Sequence, residues 1–306
     1  MITRVAVVQA GSVLFDTPAT MAKLVRLAGE AADKGAKLAV FPEAFVGGYP
    51  KGMDFGARVG WRTSEGRDWF ARYFESAIAV PGPETAQMGE VAAGHAMQMV
   101  VGVIERDGGT LYCTALIFAA DGSLAAKHRK VMPTAMERII WGQGDGSTLP
   151  VVSTDIGRVG AVICWENYMP LLRTAMYGQG IEIYCAPTVD DRDSWAGSMR
   201  HIAFEGRCFV LSAVQYFTRD DAPADCPIDA EPGAVMIRGG SSITGPLGED
   251  LAAPVYGREA VLTAEIDVAA LARTKFDLDV VGHYARPDIF ALQVDWAPKR
   301  AVNRPD

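Results

Sequence analysis

A strand, a helix and a second strand follow one another at the start of the sequence, and the same order returns in the second half. Residues 4–9 form a β-branched run, residues 19–33 carry apolar side chains at helical spacing, and residues 37–41 are apolar again. The pair Thr17-Pro18 predicts the start of the helix. Two strands joined through a helix are expected to be parallel neighbours, so the pattern predicts an α/β fold.

The remaining predicted elements indicate a second β-α-β unit and several hairpins. The predicted helices are 70–79, 84–97, 169–179 and 193–207, and the predicted strands are 100–105, 111–119, 158–164, 181–186, 208–215, 241–244 and 259–266. Hairpin turns are expected at 107–109 and 121–122. The last two strands are expected to pair around the turn at 245–249, and the proline-rich acidic stretch 223–233 predicts a surface loop.

Because both halves carry a β-α-β unit and hairpins, the economical architecture has two mixed sheets packed face to face with helices outside. This is a four-layer α-β-β-α sandwich. We expect residues 1–306 to form a single domain, which the length of 306 residues allows.

The charge balance argues against nucleic acid as a partner. The chain has 29 Lys and Arg against 37 Asp and Glu, a net charge of −8, and no basic patch is evident. Its apolar runs are broken by glycine or a charge well before the roughly 20 residues that cross a bilayer. No signal-peptide pattern follows Met1. We therefore expect a soluble, cytoplasmic protein with no membrane partner.

The cysteines and histidines do not form a pattern typical of disulfides or metals. The five cysteines lie far apart and their number is odd, which indicates reduced thiols rather than a disulfide framework. The four histidines are scattered without zinc-ligand spacing, and glycine-rich nucleotide motifs are missing. We expect no metal and no cofactor.

Reactive side chains follow three predicted strands, at the strand ends where sites form in α/β folds. Glu43 comes directly after residues 37–41, Lys130 lies in the polar stretch 127–138, and Cys164 ends the strand 158–164. Each has an ordinary alternative: a loop carboxylate, a solvated basic strand end and a buried structural cysteine. A thiol on a strand-to-helix turn can, however, lie near amides that stabilise a thiolate.

The other four cysteines are assigned no chemistry. Cys113, Cys185 and Cys208 lie inside strand-like runs and are expected to pack in the core, and Cys226 in the proline-rich loop is expected to be exposed. A thiol, a carboxylate and an ammonium together meet the needs of acyl transfer, namely a nucleophile, a base and a cation for the negative charge that forms.

Several longer motifs carry a resemblance to a known family. They are 128–134 (HRKVMPT), Glu137-Arg138, 141–147 (WGQGDGS), 164–172 (CWENYMPLL) and 281–288 (VGHYARPD). With Glu43, Lys130 and Cys164 in this order, the chain resembles the nitrilase superfamily of carbon–nitrogen hydrolases, and within it the nitrilase branch. The resemblance implies that these three residues form a Glu-Lys-Cys triad. It also implies that Glu137 orients Lys130 or positions water; the alternative is a surface ion pair between Glu137 and Arg138.

The resemblance further implies that an organic nitrile is converted to a carboxylic acid and ammonia through a thioimidate and a thioester on Cys164. Trp165, Tyr49 and Tyr168 would line an apolar pocket, with Thr134 and Thr188 as polar contacts; core packing is the alternative for each of these five residues. The Trp165 backbone N–H would stabilise negative charge together with Lys130.

Other functions remain open on the same residues. An amide or carbamoyl hydrolase, or a nitrile or cyanide hydratase, could use the same triad, and a non-catalytic scaffold or redox sensor could keep the fold. The resemblance also implies a homodimer or larger homo-oligomer, and we place the interface at the segment 168–179, which directly follows the nucleophile. Because the sequence ends at Asp306, soon after the last motif, we expect only modest growth beyond a dimer.

Overall fold

The first β-α-β unit folds as the sequence predicts, with slightly different boundaries. The computed structural model describes residues 2–299 and Val302. Strand β1 (Ile2–Gln9) leads into helix α1 (Thr17–Asp33) and strand β2 (Leu38–Val40), which lies parallel to β1. The helix begins two residues before the predicted start because Asp16, not Thr17, is its cap and accepts a hydrogen bond from Ala19 N at 2.9 Å.

The other elements complete two large sheets and their covering helices. The strands are β3 (Ala57–Arg58), β4 (Trp61–Arg62), β5 (Gln98–Asp107), β6 (Thr110–Phe118), β7 (Leu124–Arg129), β8 (Val151–Thr154), β9 (Gly157–Ala161), β10 (Ile183–Thr188), β11 (Phe209–Val214), β12 (Tyr216–Thr218), β13 (Val235–Thr244), β14 (Asp250–Tyr256) and β15 (Ala260–Asp267). The helices are α2 (Ser64–Ser76), α3 (Pro83–His95), α4 (Glu137–Ile140), α5 (Pro170–Gly178), α6 (Asp193–Gly206) and α7 (Leu271–Thr274).

The sheet topology confirms two mixed sheets. One sheet has the order β15-β1-β2-β5-β6-β7, and the other has the order β12-β13-β11-β10-β9-β8 with β14 paired to β13. In each sheet three central strands are parallel, β1, β2 and β5 in the first and β9, β10 and β11 in the second. The neighbouring hairpin strands are antiparallel.

Alternation along β1 shows how the layers stack. Val5 and Val7 belong to an apolar cluster that includes Val210 of the second sheet, whereas Ala6 and Val8 belong to another cluster that includes side chains of α1. Successive residues of a strand point to opposite faces of its sheet. One face of the first sheet therefore packs on the second sheet and the other on the helices, which confirms the α-β-β-α sandwich.

Two strand predictions were wrong. Residues 241–244 belong to β13, which pairs around the turn 245–249 with β14, a strand that the sequence pattern missed because its side chains are largely exposed. The predicted partner, 259–266, forms β15 and pairs with β1 in the other sheet. The strand predicted at 158–164 ends at Ala161, because a short 3₁₀ turn (Cys164–Tyr168) begins at the cysteine.

Cys226 was also predicted wrongly. It is buried, with 4% of its surface exposed, because its side chain and that of Ile228 pack inward from an otherwise largely exposed loop, which brings Cys226 Sγ 3.6 Å from Met53 Sδ. All five cysteines are free thiols. Within residues 2–299, no helix combines the length and the apolar character that a bilayer crossing requires. The same residues hold no group of three or more acidic, cysteine or histidine side chains that could bind a metal. The C-terminal end at Asp306 lies outside the described residues.

Candidate active site

Glu43 lies just beyond the end of β2, between the two sheets, and is fully buried. Its Oε1 accepts hydrogen bonds from Lys130 Nζ at 2.6 Å and from Cys113 Sγ at 3.5 Å. Its Oε2 is buried without a hydrogen-bond partner among the described residues. Gln215 Nε2 donates to the Glu43 carbonyl at 2.7 Å. The segment thus holds the carboxylate firmly and leaves one oxygen free.

Lys130 follows the last residue of β7 and is also fully buried. Its backbone N–H donates to the carbonyl of Cys113 on β6 at 2.8 Å, which continues the β6–β7 ladder by one residue. Its Nζ bridges two carboxylates, Glu43 Oε1 at 2.6 Å and Glu137 Oε2 at 2.8 Å. The lysine is therefore the centre of a buried ionic cluster and not a solvated strand end.

Glu137 is held inside this cluster by three donors. Besides Lys130, the Thr134 backbone N–H donates to Glu137 Oε2 at 2.6 Å, and the Tyr49 hydroxyl donates to Glu137 Oε1 at 2.9 Å. The alternative of a surface ion pair with Arg138 was wrong, because Arg138 Nε instead contacts the Ala135 carbonyl at 3.3 Å. Tyr49, expected as a substrate contact, is thus also a partner of Glu137.

Cys164 is the first residue of the 3₁₀ turn that follows β9, and it has a left-handed backbone with φ of 50°. A non-glycine residue in this region is strained and persists only when its surroundings hold it. Here Asn167 Nδ2 donates to the carbonyls of Val162 at 2.9 Å and Cys164 at 2.7 Å. Thr188, at the end of β10, donates its hydroxyl to Cys164 Sγ at 3.1 Å. The thiol is 3% exposed and faces the space between the sheets.

A buried Glu166, which the sequence analysis did not single out, ties the nucleophile turn to the lysine strand. Its carboxylate accepts from Val131 N at 2.6 Å, from Ile163 N at 2.8 Å and from His128 Nε2 at 2.8 Å. Val131 directly follows Lys130 after β7, and Ile163 directly precedes Cys164 after β9. The position of Glu166 two residues after Cys164 in a quoted motif was the available sequence signal.

His128 completes this tie. Its Nδ1 contacts the Thr148 carbonyl, so both ring nitrogens face acceptors. A neutral imidazole has only one N–H, whereas the imidazolium has two. Burial alone would lower the pKa of His128, but the charge of Glu166 and hydrogen bonds to both nitrogens raise it. His128 and Glu166 therefore form a buried ion pair between the sheets.

Burial and charge set the protonation states of the three central groups. Loss of hydration raises the pKa of Glu43 despite its attraction to Lys130. Burial alone would lower the pKa of Lys130, but the attraction of Glu43 and the other acidic groups raises it well above its ordinary value. Burial and the charge of Glu43 raise the pKa of Cys164. The resting thiol is therefore protonated, in contrast to the expected stabilisation of a thiolate by the turn, and it needs a base to become a nucleophile.

A cavity of about 260 Å³ opens beside Glu137, between residues 49–55 and 134–141. Tyr49 and Thr134 line it, and the Thr134 hydroxyl is buried with no hydrogen-bond partner in the part of the chain that the structure describes. Thr188 lies apart from this cavity, against the Cys164 thiol. Three of the five expected pocket residues therefore contact the cavity or the nucleophile.

Trp165 and Tyr168 form a half-exposed aromatic pair on the outer side of the nucleophile turn, with ring centroids 5.7 Å apart. Trp165 Nε1 donates to Asp190 Oδ2 at 2.8 Å, and the guanidinium of Arg192 lies 4.7 Å from a Trp165 ring. Neither side chain lines the cavity beside Glu137. Both side chains thus belong to the nucleophile turn and lie outside that cavity.

A sandwich of two mixed sheets with a buried thiol, carboxylate and ammonium at its strand ends defines a class of enzymes that hydrolyse substrates through a cysteine. The profile of the carbon-nitrogen hydrolase family matches residues 4–276. The chain belongs to this family.

Relatives agree with this membership, and a solved structure shares the fold. An aliphatic nitrilase of Sinorhizobium fredii is 61% identical over 301 residues, covering 98% of this chain and 97% of that protein. A bifunctional nitrilase/nitrile hydratase of Nicotiana tabacum is 55% identical over 298 residues, covering 95% and 85%. A carbon-nitrogen hydrolase from Helicobacter pylori shares the fold, with a TM-score of 0.72 at 22% identity over 90% of this chain and 92% of that one. The resemblance to the nitrilase branch is confirmed.

Proposed function

We propose that this protein hydrolyses an organic nitrile to a carboxylic acid and ammonia, with two water molecules consumed in each turnover. The observation that carries the proposal is the buried Lys130 ammonium held between Glu43 and Glu137 beside the protonated thiol of Cys164. This cluster supplies a nucleophile, a base and a fixed positive charge in a site with little water. The relatives named as nitrilases support nitriles as the substrate class.

In the first half of the reaction, Glu43 takes the proton of the Cys164 thiol as sulfur attacks the nitrile carbon. The raised pKa of Glu43 brings its basicity closer to that of the thiol, which favours this transfer. The proton then passes to the nitrile nitrogen, and the product is a covalent thioimidate. Lys130 and the Trp165 backbone N–H stabilise the negative charge that develops.

In the second half, water adds to the thioimidate carbon while Glu43 accepts one of its protons. Protonation of the nitrogen releases ammonia and leaves a thioester on Cys164. A second water molecule hydrolyses the thioester, which releases the carboxylic acid and restores the thiol. Glu43 moves a proton in each step, and its free Oε2 is the oxygen available for this exchange.

Glu137 orients Lys130 through a hydrogen bond of 2.8 Å, and Tyr49 orients Glu137 through a hydrogen bond of 2.9 Å. The organic group of the substrate enters the cavity beside Glu137, where Tyr49 and Thr134 contact it. Thr188 holds the sulfur of Cys164, and Trp165 and Tyr168 contact the substrate at the rim.

The test is a panel of aliphatic, aromatic and arylaceto nitriles, with ammonia, acid and amide quantified separately. We expect ammonia and acid from at least one nitrile, and none above buffer with Cys164→Ala. Cys185→Ala is the matched control, since Cys185 is buried on β10 and no charged group shifts its pKa. Amide as the main product would favour the hydratase alternative, and turnover of amides but of no nitrile would contradict the proposal.

We further propose that residues 1–306 act as one catalytic domain in the cytoplasm and pair with a second copy through the segment 168–179. Leu171 on α5 is 67% exposed, which supports an apolar contact there. Leu171→Glu should lower the particle mass in light scattering at graded concentrations, whereas Leu247→Glu, at an exposed leucine outside this segment, should not. A fully active monomeric wild type would contradict the pairing.

A further inference from the structure

Cys113 is the one polar side chain on the inward face of β6. The residues that share this face and the central core with it are Leu111, Ala115 and Ile117. Its thiol nevertheless lies 3.5 Å from Glu43 Oε1, within hydrogen-bonding distance for sulfur. Cys113 was expected to pack in the core, and the reaction steps above give its contact with Glu43 no role.

Two parts of Cys113 contact the ionic cluster. Its backbone carbonyl accepts from the Lys130 N–H at 2.8 Å, while its side chain reaches Glu43. The first contact belongs to the backbone and survives any substitution. The second depends on the thiol alone, so it can be removed by mutation without moving the strand.

The thiol contact has a clear donor and a clear acceptor. Burial and the charge of Glu43 raise the pKa of Cys113 well above its ordinary value, so the thiol stays protonated and can donate. Glu43 Oε1 also accepts from Lys130 Nζ, whereas Glu43 Oε2 is buried without a partner among residues 2–299. Both donors thus lie on the same oxygen.

We propose that Cys113 is a positioning residue for the base: its thiol donates to Glu43 Oε1 and, with Lys130, fixes the carboxylate so that Oε2 remains free for the proton of Cys164. This inference rests on the proposed role of Glu43. A lone ammonium on one oxygen permits the carboxylate to rotate about its own axis, and a second donor on the same oxygen restrains that rotation. The thiol also stabilises the carboxylate form.

Several charged or titratable groups face Glu43 and must stay in place during a test. They are Lys130 after β7, Glu137 on α4, Cys164 on the nucleophile turn, Tyr49 in the loop before β3 and Tyr73 on α2. Removing the Cys113 thiol leaves each of these side chains in place, and because the thiol is protonated its removal takes away no charge. A change in the pH profile of Cys113→Ala would therefore report the loss of one donor to Glu43.

The kinetic test compares the pH dependence of kcat/KM for nitrile hydrolysis in the wild type, Cys113→Ala, Cys113→Ser and the control Cys185→Ala. Loss of a donor disfavours the ionised carboxylate of Glu43. The acid limb of the kcat/KM profile of Cys113→Ala should therefore shift to higher pH, by roughly half a pH unit to one unit. Serine restores a donor and should return the limb towards the wild-type position. Cys185→Ala removes the same volume from the core and should lower Tm without moving the limb.

A spectroscopic test does not depend on turnover or on the alanine variant folding. The infrared S–H stretching band of Cys113, assigned by the difference between wild type and Cys113→Ser, should lie at lower frequency than the band of Cys185. Equal frequencies, or an unmoved acid limb in a folded and active Cys113→Ala, would overturn the inference. Absence of nitrile turnover in the wild type would instead refute the proposed function, and the S–H band would still decide the role of Cys113.

Discussion

Replacing Lys130 by Met should destabilise the protein in a pH-dependent way. The substitution keeps the length of the side chain but leaves Glu43 and Glu137 facing one another without the ammonium that now bridges them at 2.6 Å and 2.8 Å. Both carboxylates are buried, so they cannot recover the lost interaction from water. The variant can relieve the unpaired charge only by binding protons.

The magnitude follows from the cost of that protonation. A carboxyl group with an ordinary pKa of about 4.3 takes up a proton at a cost of about 3.7 kcal/mol at pH 7 and about 1 kcal/mol at pH 5. If one proton relieves the pair, Lys130→Met should lose about 4 kcal/mol of unfolding free energy at pH 7, in line with about 3–5 kcal/mol for breaking a buried ion pair. In the variant, the carboxyl group that binds this proton has a higher pKa in the folded state than in the unfolded chain. The stability of the variant therefore falls as pH rises above about 4.3.

Urea unfolding at pH 5 and pH 7 measures this difference. Lys127→Met is the control, because Lys127 is 31% exposed and its partner Glu105 keeps Arg129, so its loss should stay below about 1 kcal/mol at both pH values. Lys130→Met should also lose at least roughly 10²-fold in kcat. Equal losses of stability at the two pH values would refute the buried-charge reasoning.

Four further substitutions test neighbouring contacts. Glu137→Gln should lower kcat by at least about tenfold, because it weakens the interaction that holds Lys130 in place, and Tyr49→Phe should lower kcat less. Steady-state ammonia release measures both effects. An unchanged kcat in Glu137→Gln would mean that Glu137 has only a structural role. The Glu166 charge and hydrogen bonds raise the pKa of His128 against the effect of burial, so its stabilising charge is complete below about pH 6.5 and is lost as pH rises through the higher folded-state pKa. His128→Gln should therefore cost about 1–3 kcal/mol at pH 6 and less at pH 9 in urea unfolding, and the opposite trend would contradict the imidazolium. Gly102→Ala would place Cβ 2.1 Å from the Pro42 carbonyl oxygen and should impair ammonia release, whereas Gly94→Ala meets no atom within 4 Å and should not.

Local patterns in the sequence predicted much of the fold, and long-range pairing limited the rest. The helical spacing of α1 and the apolar runs of β1 and β2 are properties of short segments, so they could be read without knowing their neighbours. The partner of β15 is set by packing across the whole chain, and its choice of β1 over the hairpin could not be inferred from the turn at 245–249. The exposed strand β14 lacks the alternation that marks a half-buried strand.

The site was predictable to the extent that strand ends mark it. Glu43 and Cys164 each follow a central parallel strand, and their residue types already suggested acyl transfer. The contact between Cys113 and Glu43 depends on which face of β6 meets the space between the sheets. The salt bridge of His128 joins β7 to the nucleophile turn that follows β9 of the other sheet. Such contacts require the three-dimensional packing, since the residues involved are 70 and 38 positions apart in sequence.

A rapid-quench experiment with peptide mapping by mass spectrometry tests the central role of Cys164 most directly. A nitrile that supports ammonia release is mixed with the wild type, quenched in acid during turnover and mapped, with Cys164→Ala and Cys185→Ala treated in parallel. We expect a thioimidate or acyl adduct on the peptide containing Cys164 in the wild type and in Cys185→Ala, and neither adduct nor ammonia from Cys164→Ala. An adduct on another residue, or ammonia release by Cys164→Ala at more than a small fraction of the wild-type rate, would contradict covalent catalysis by Cys164.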